Sequence, residues 1–247
     1  MNNEDAQVVE IDRFVPKSPL VILGFVENTT LGLLTSSYII EQEKLHQIAQ
    51  IRSIHIPPVT VFVGGKMRTP FRIYVNSGGT LMVITCEVPI DDEGLYEISS
   101  ALVKWLEVIS PKEIVVVDGI PTKGLVDKRT VYGAAETDNF KKLSDVGVES
   151  AGSAIISGIG GALINQIIGK KFEAVSLMTE ASVDMPDPGA VLSVIEVLNK
   201  AYNLKIGTDI LEESVNKLHE QTSDIISKFN QLQKDKVQKQ AEQSIYG

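Results

Sequence analysis

Five carboxylates fall at or just past the ends of apolar runs: Glu87 after LMVITC, Asp118 closing EIVVVD, Glu180 closing FEAVSLMTE, and Asp184 and Asp187 shortly beyond. Open α/β sheets bind ligands at the carboxyl ends of their strands, so Glu87, Asp118, Glu180 and Asp187 form a candidate ligand pocket with acid/base capacity. The plainer account is that these residues cap helices and solvate loops, since no Arg or Lys cluster accompanies them. Other chemistry is poorly supplied. His46, His55 and His219 are the only histidines, and none has a second ligand at a useful spacing, so no metal is expected. Cys86 is the only cysteine and ends an apolar run without a basic neighbour, which predicts a buried, inert thiol and no internal disulfide. Gly158-x-Gly160 opens like a dinucleotide fingerprint, yet Leu163 stands at the third glycine position and no Lys-Ser/Thr pair follows. Those glycines are read as a tight strand-to-helix turn, and no cofactor is expected.

A second group of residues suits binding rather than catalysis. The sequence finishes on Ile245, Tyr246 and Gly247 after the polar stretch QKDKVQKQAEQS. Exposed Ile and Tyr both gain by leaving water, so a solvated tether tipped with them is read as a segment that is buried in a partner. Upstream, Leu211, Val215, Leu218, Thr222, Ile225, Phe229 and Leu232 are spaced alternately four and three apart, a heptad seam of about three repeats. The seam serves either self-association or packing of a helix on its own domain.

The elements that would position these residues alternate in type. LVILGFV at 20–26 is a buried strand feeding a helix from Leu31 to Gln47; VTVFVGG is another strand; and FRIYV and LMVITCEV pair as a hairpin across Ser77-Gly78-Gly79. Asp91 to Ile109 is an amphipathic helix with Asp91, Asp92 and Glu93 at its N-terminus, and it leads to the strand EIVVVD. From Pro121 to Val148 loops are expected, with one short strand at Val131–Ala135. A helix from Gly158 to about Ile168, the strand FEAVSLMTE and a proline-started helix PDPGAVLSVIEVLNKAYNL complete the pattern. The expected fold is a single three-layer α/β domain over 1–209 with a mixed, largely parallel sheet, followed by a C-terminal helical extension and tether over 210–247.

Composition narrows the function classes. Of 247 residues, 43% are hydrophobic and 22% charged, which suits a globule with a substantial core. A formal net charge of -9 argues against nucleic acid or an anionic membrane surface as partner. The acidic start MNNEDAQVVE lacks the layout of a signal peptide and no apolar run reaches membrane-span length, so a cytoplasmic location is expected.

Taken in order, GFVENTTLGLLTSSYIIEQ, IPPVTVFVGGKMRTPFRIY, EVPI, VVDGIPTKG, VYGAAET, SAIISGIGGALIN and MPDPGAVLSVIEVLNK resemble the archaeal members of the proteasome assembly chaperone family, once predicted to be ATP-dependent ligases. One departure is local: Glu27-Asn28-Thr29-Thr30 replaces the glycine-rich turn that such proteins often carry after the first strand. The resemblance implies a nucleoside phosphorylase-like α/β fold and a proteasome α subunit or α ring as partner. It further implies that Ile245-Tyr246-Gly247 is a hydrophobic-Tyr-any docking motif, presented in several copies by a homo-oligomer. The expected function is that of an assembly chaperone or ATP-independent activator-like factor. The alternative is a small-molecule enzyme of nucleoside phosphorylase or ligase type that uses the carboxyl-end acidic residues.

Overall fold

The structure is a computed structural model that describes residues 5–63, 65–126, 128–135, 140–170 and 173–216. The chain divides into two compact units, Met1–Gly207 and Thr208–Gly247.

The first unit is built on a nine-stranded sheet in the order β1-β3-β6-β7-β2-β8-β11-β9-β10. Its middle is formed by β7 (Leu81–Cys86), β2 (Leu20–Phe25), β8 (Glu113–Thr122) and β11 (Glu173–Ser182), all parallel, with Leu20 opposite both Leu81 and Glu113. These strands read as unbroken apolar runs because helices cover both faces: every residue of LVILGF and LMVITC is buried. On one flank, β6 (Phe71–Val75), β3 (His46–Ser53) and β1 (Ala6–Glu10) continue the sheet antiparallel. On the other flank, β9 (Tyr132–Ala135) runs antiparallel to β11, and β10 (Glu149–Ser150) lies parallel to β9. The sheet is mixed as expected, but its parallel character is confined to these middle strands and the β9–β10 edge, rather than dominating. The expected β6–β7 hairpin is present, with Gly79 at φ +69 and the Asn76 side chain accepting from Thr80 and Leu81 amides at 2.9 and 3.1 Å. VTVFVGG does not join the large sheet; Val61–Val63 (β4) pairs with Lys66–Arg68 (β5) in a separate two-stranded ribbon.

Helices make the outer layers. On one face α2 (Leu95–Ile109) and α4 (Gly158–Ile167) bury Ile98, Leu102, Leu106, Ile159 and Leu163 against Val21, Leu23, Phe25, Ile114 and Val116. The other face is covered by α1 (Leu31–Gln42) and α5 (Pro188–Tyr202), with the short α3 (Phe140–Ser144) beside α5. The expected helix from Leu31 to Gln47 stops early: Lys44 takes a left-handed conformation at φ +50, and His46 already belongs to β3.

In the second unit residues 209–216 are helical; Leu211 is buried and Val215 half-buried. Leu218, Thr222, Ile225, Phe229 and Leu232 of the proposed seam, and the tail residues Ile245, Tyr246 and Gly247, lie outside the described residues.

Candidate functional site

The winding of the chain leaves a crevice at one end of the sheet. β2 and β8 are neighbours whose chains part at their carboxyl ends: after β2 the chain turns through α1 to β3 on one side of the sheet, whereas after β8 it goes on to β9, β10 and β11 on the other. Loops leaving such a switch point diverge, and the gap between them is the ordinary ligand position of an open α/β sheet. Here the gap is a cavity of about 470 Å³. Its floor follows from strand register: Asp118 on β8 is opposite Met178 on β11, which is opposite Tyr132 on β9, and Ile120 is opposite Glu180 one pleat further out. Asn28, from the loop after β2, and Ile155, from the segment before α4, complete the wall.

The loop after β2 is tied to α4. The Glu27 carboxylate accepts the Ile159 amide at 2.8 Å, so it closes the N-terminus of α4 where Ser157 makes no side-chain cap. Gly158 is required there, since it sits at φ +62 and a Cβ would meet the Glu27 carboxylate at 1.9 Å. Asn28 Nδ2 donates to Ser157 Oγ at 3.5 Å, joining the same two loops. Burial pushes the Glu27 carboxyl above its ordinary range; the Ile159 amide partly opposes this, and the nearby Asp118 carboxylate adds to it. Burial also raises Asp118, which its neighbouring Gly119 amide at 2.7 Å partly opposes.

The four carboxylates singled out in the sequence separate into two kinds. Asp118 and Glu180 line the cavity together. Glu87 is instead paired with Arg72, a buried guanidinium that also donates to the Tyr74 hydroxyl at 2.6 Å and the Thr69 carbonyl at 2.7 Å. Asp187 is likewise engaged: Arg129 Nη2 reaches its two oxygens at 2.8 and 2.9 Å, while the Ala190 and Ser182 amides donate at 3.0 and 3.2 Å. It is thus the cap of α5 and one half of a buried ion pair. Asp184 is exposed. Glu27, Asn28, Tyr132 and Met178 were not among the expected site residues. Only Glu27 and Asn28 carried a signal, as occupants of the turn after the first strand.

Cys86 is buried, and its thiol is pushed up to about 12 chiefly by burial. Among the described residues no group of three or more His, Cys, Asp or Glu could hold a metal ion, and no helix is long and apolar enough to cross a membrane.

Sheet order, helix placement and crevice together define a doubly wound α/β/α protein with an acidic cavity at the switch point. The chain belongs to the PAC2 family, whose model matches residues 21–226, in agreement with the resemblance seen in the sequence blocks. A Thermoplasma acidophilum protein of unknown function is 47% identical, with a TM-score of 0.76 over 90% of this chain and 91% of that one. Pyrococcus furiosus PbaA, described as an archaeal homolog of proteasome-assembly chaperone, is 21% identical with a TM-score of 0.77, covering 87% and 94% of the two chains. PbaB of the same organism, described as an archaeal proteasome activator, is 17% identical with a TM-score of 0.76 over 90% and 99%. At that identity PbaA and PbaB show a shared fold. An uncharacterised Methanocaldococcus jannaschii protein is 25% identical over 232 residues, 91% of this chain and 95% of its own.

Proposed function

We propose that this protein is a proteasome-binding factor, an assembly chaperone or ATP-independent activator-like protein, and not primarily an enzyme. The observation that carries the reading is membership of the PAC2 family across residues 21–226. The fold shared with PbaA and PbaB, one described as a proteasome-assembly chaperone homolog and the other as a proteasome activator, supports it. In this reading Ile245 and Tyr246 enter an apolar slot between proteasome α subunits, with the phenol providing a polar handle. Leu211, Val215, Leu218, Ile225, Phe229 and Leu232 help to hold a homo-oligomer that presents several tails in the cytoplasm.

The test compares full-length protein with a form lacking residues 245–247, each offered to free α subunits and to assembled α rings. Retention of full-length protein and loss of the shortened one supports the proposal. Equal retention of both would remove the tail from it, and no retention of either would overturn the proteasome reading itself. The enzyme alternative draws on the cavity beside Asp118 and Glu180. Among the described residues its lining holds no Arg or Lys to bind a phosphate, which sets it second.

A further inference from the structure

We infer that the cavity at the β2–β8 crevice binds a small organic cation, with an ammonium or guanidinium group held by Asp118 and Glu180 and an apolar or aromatic body laid on Tyr132 and Met178. The inference does not depend on the proteasome reading.

Three independent features converge on it. The first is position and size: a cavity of about 470 Å³ lies at the switch point of the sheet, within the range that encloses metabolite-sized ligands. The second is charge. Among the described residues, two carboxylates and no basic residue line this space, and the guanidinium of Arg129 nearby is turned to the Asp187 carboxylate while its Nε reaches the Glu180 backbone carbonyl at 3.4 Å. Among the described residues neither the second oxygen of Asp118 nor the carboxylate of Glu180 meets a donor. Two half-buried carboxylates on one wall disfavour each other's charge, and a cation brought between them would offset that cost. Glu27, within electrostatic reach of Asp118, deepens the negative potential, which repels phosphates and carboxylates. The third is shape. Tyr132 and Met178 stand side by side on one pleat, and Ile155 at the rim is 94% exposed, so a flat apolar body would find a ring, a thioether and an aliphatic cover.

The test uses full-length protein and three indole probes that share a body and differ in charge: tryptamine, tryptophol and indole-3-acetate. Titration calorimetry at low salt and about pH 8 reads the affinities. Tryptamine should bind, tryptophol should bind about tenfold more weakly or worse, and indole-3-acetate should not bind. Asp118→Asn and Glu180→Gln should each weaken tryptamine about tenfold while leaving tryptophol unchanged, and Glu107→Gln, on the exposed face of α2, should change nothing. Equal binding of tryptamine and tryptophol, or tryptamine binding indifferent to both cavity variants, overturns the inference. So does displacement of tryptamine by Mg²⁺ alone with the affinity of a simple metal site. If Asp118→Asn does not fold, Glu180→Gln, a half-buried position on a strand end, decides the matter by itself.

Discussion

At the scale of single residues, the carboxylates differ by what each meets across the fold rather than by their own chemistry. Glu27 and Asp118 are held above their ordinary range by burial, whereas Glu87 and Asp187 are met by guanidinium groups. For Glu27 the consequence is a pH dependence of definite sign. A raised folded-state pKa means that its contribution is fully present below the unfolded value and is lost as pH rises through the folded one. Glu27→Gln keeps an acceptor for the Ile159 amide without the buried charge. The variant should therefore melt higher than the wild type at about pH 8, on the order of 2–4 °C, with the gap closing toward about pH 4. A lower melting temperature at the alkaline end would mean that the dipole of α4 outweighs burial. Arg129 is the opposite case. Its side chain is 8% exposed and that of Asp187 4%, so Arg129→Ala leaves a buried carboxylate unpaired and should cost about 3–5 kcal/mol, read from urea midpoints. Asp187→Asn in the same background should recover part of that loss, because the amide oxygen still caps α5 without the charge.

At the scale of elements, the parts of the fold that could be read from the chain are those punctuated by glycine, proline or long apolar runs: β2, the β6–β7 hairpin, β8, α4, β11 and α5. The parts that could not are those whose boundaries use other chemistry. α1 ends just before Lys44, which is left-handed at φ 50. A lysine there gives no stop signal, so the helical spacing of α1 reads on to Gln47, whereas His46 and Gln47 pair with β6. Lys44→Gly should consequently stabilise the protein by about 0.5–1 kcal/mol, since glycine adopts this conformation without a Cβ penalty. A denaturation midpoint that falls instead would place the lysine stem among the contacts that hold α1 to β3. The site divides in the same way. Asp118 and Glu180 are legible because they close apolar runs, and a carboxylate at a strand end is a local pattern. Tyr132 and Met178 join them only through the registers of β8, β11 and β9, and the arginines that occupy Glu87 and Asp187 lie 15 and 58 residues away along the chain. No local window contains such pairings.

At the scale of the whole molecule, the proposed function rests on several tails acting together, and that arrangement predicts how damage at two separate places should combine. Ile245 and Tyr246 set the strength of one tail: burying the Ile side chain contributes about 1.5–3 kcal/mol, and truncating a central interface Tyr commonly costs about 2 kcal/mol or more. Tyr246→Ala should thus weaken a synthetic tail peptide by at least about tenfold, and the proposed oligomer by more, since each lost tail would also lower the effective concentration of the others. Ile225→Asp with Phe229→Asp changes no tail residue and falls in the heptad seam proposed from the sequence, so it should lower native mass while leaving the peptide affinity as it was. Binding of that variant to an α ring should fall to the level of a single tail, and adding Tyr246→Ala should then cost only the single-tail factor. Native mass spectrometry and surface resonance on immobilised rings measure both quantities on the same samples. If the seam variant keeps its mass, or loses mass yet binds the ring as tightly as the wild type, multivalent presentation falls from the proposed function.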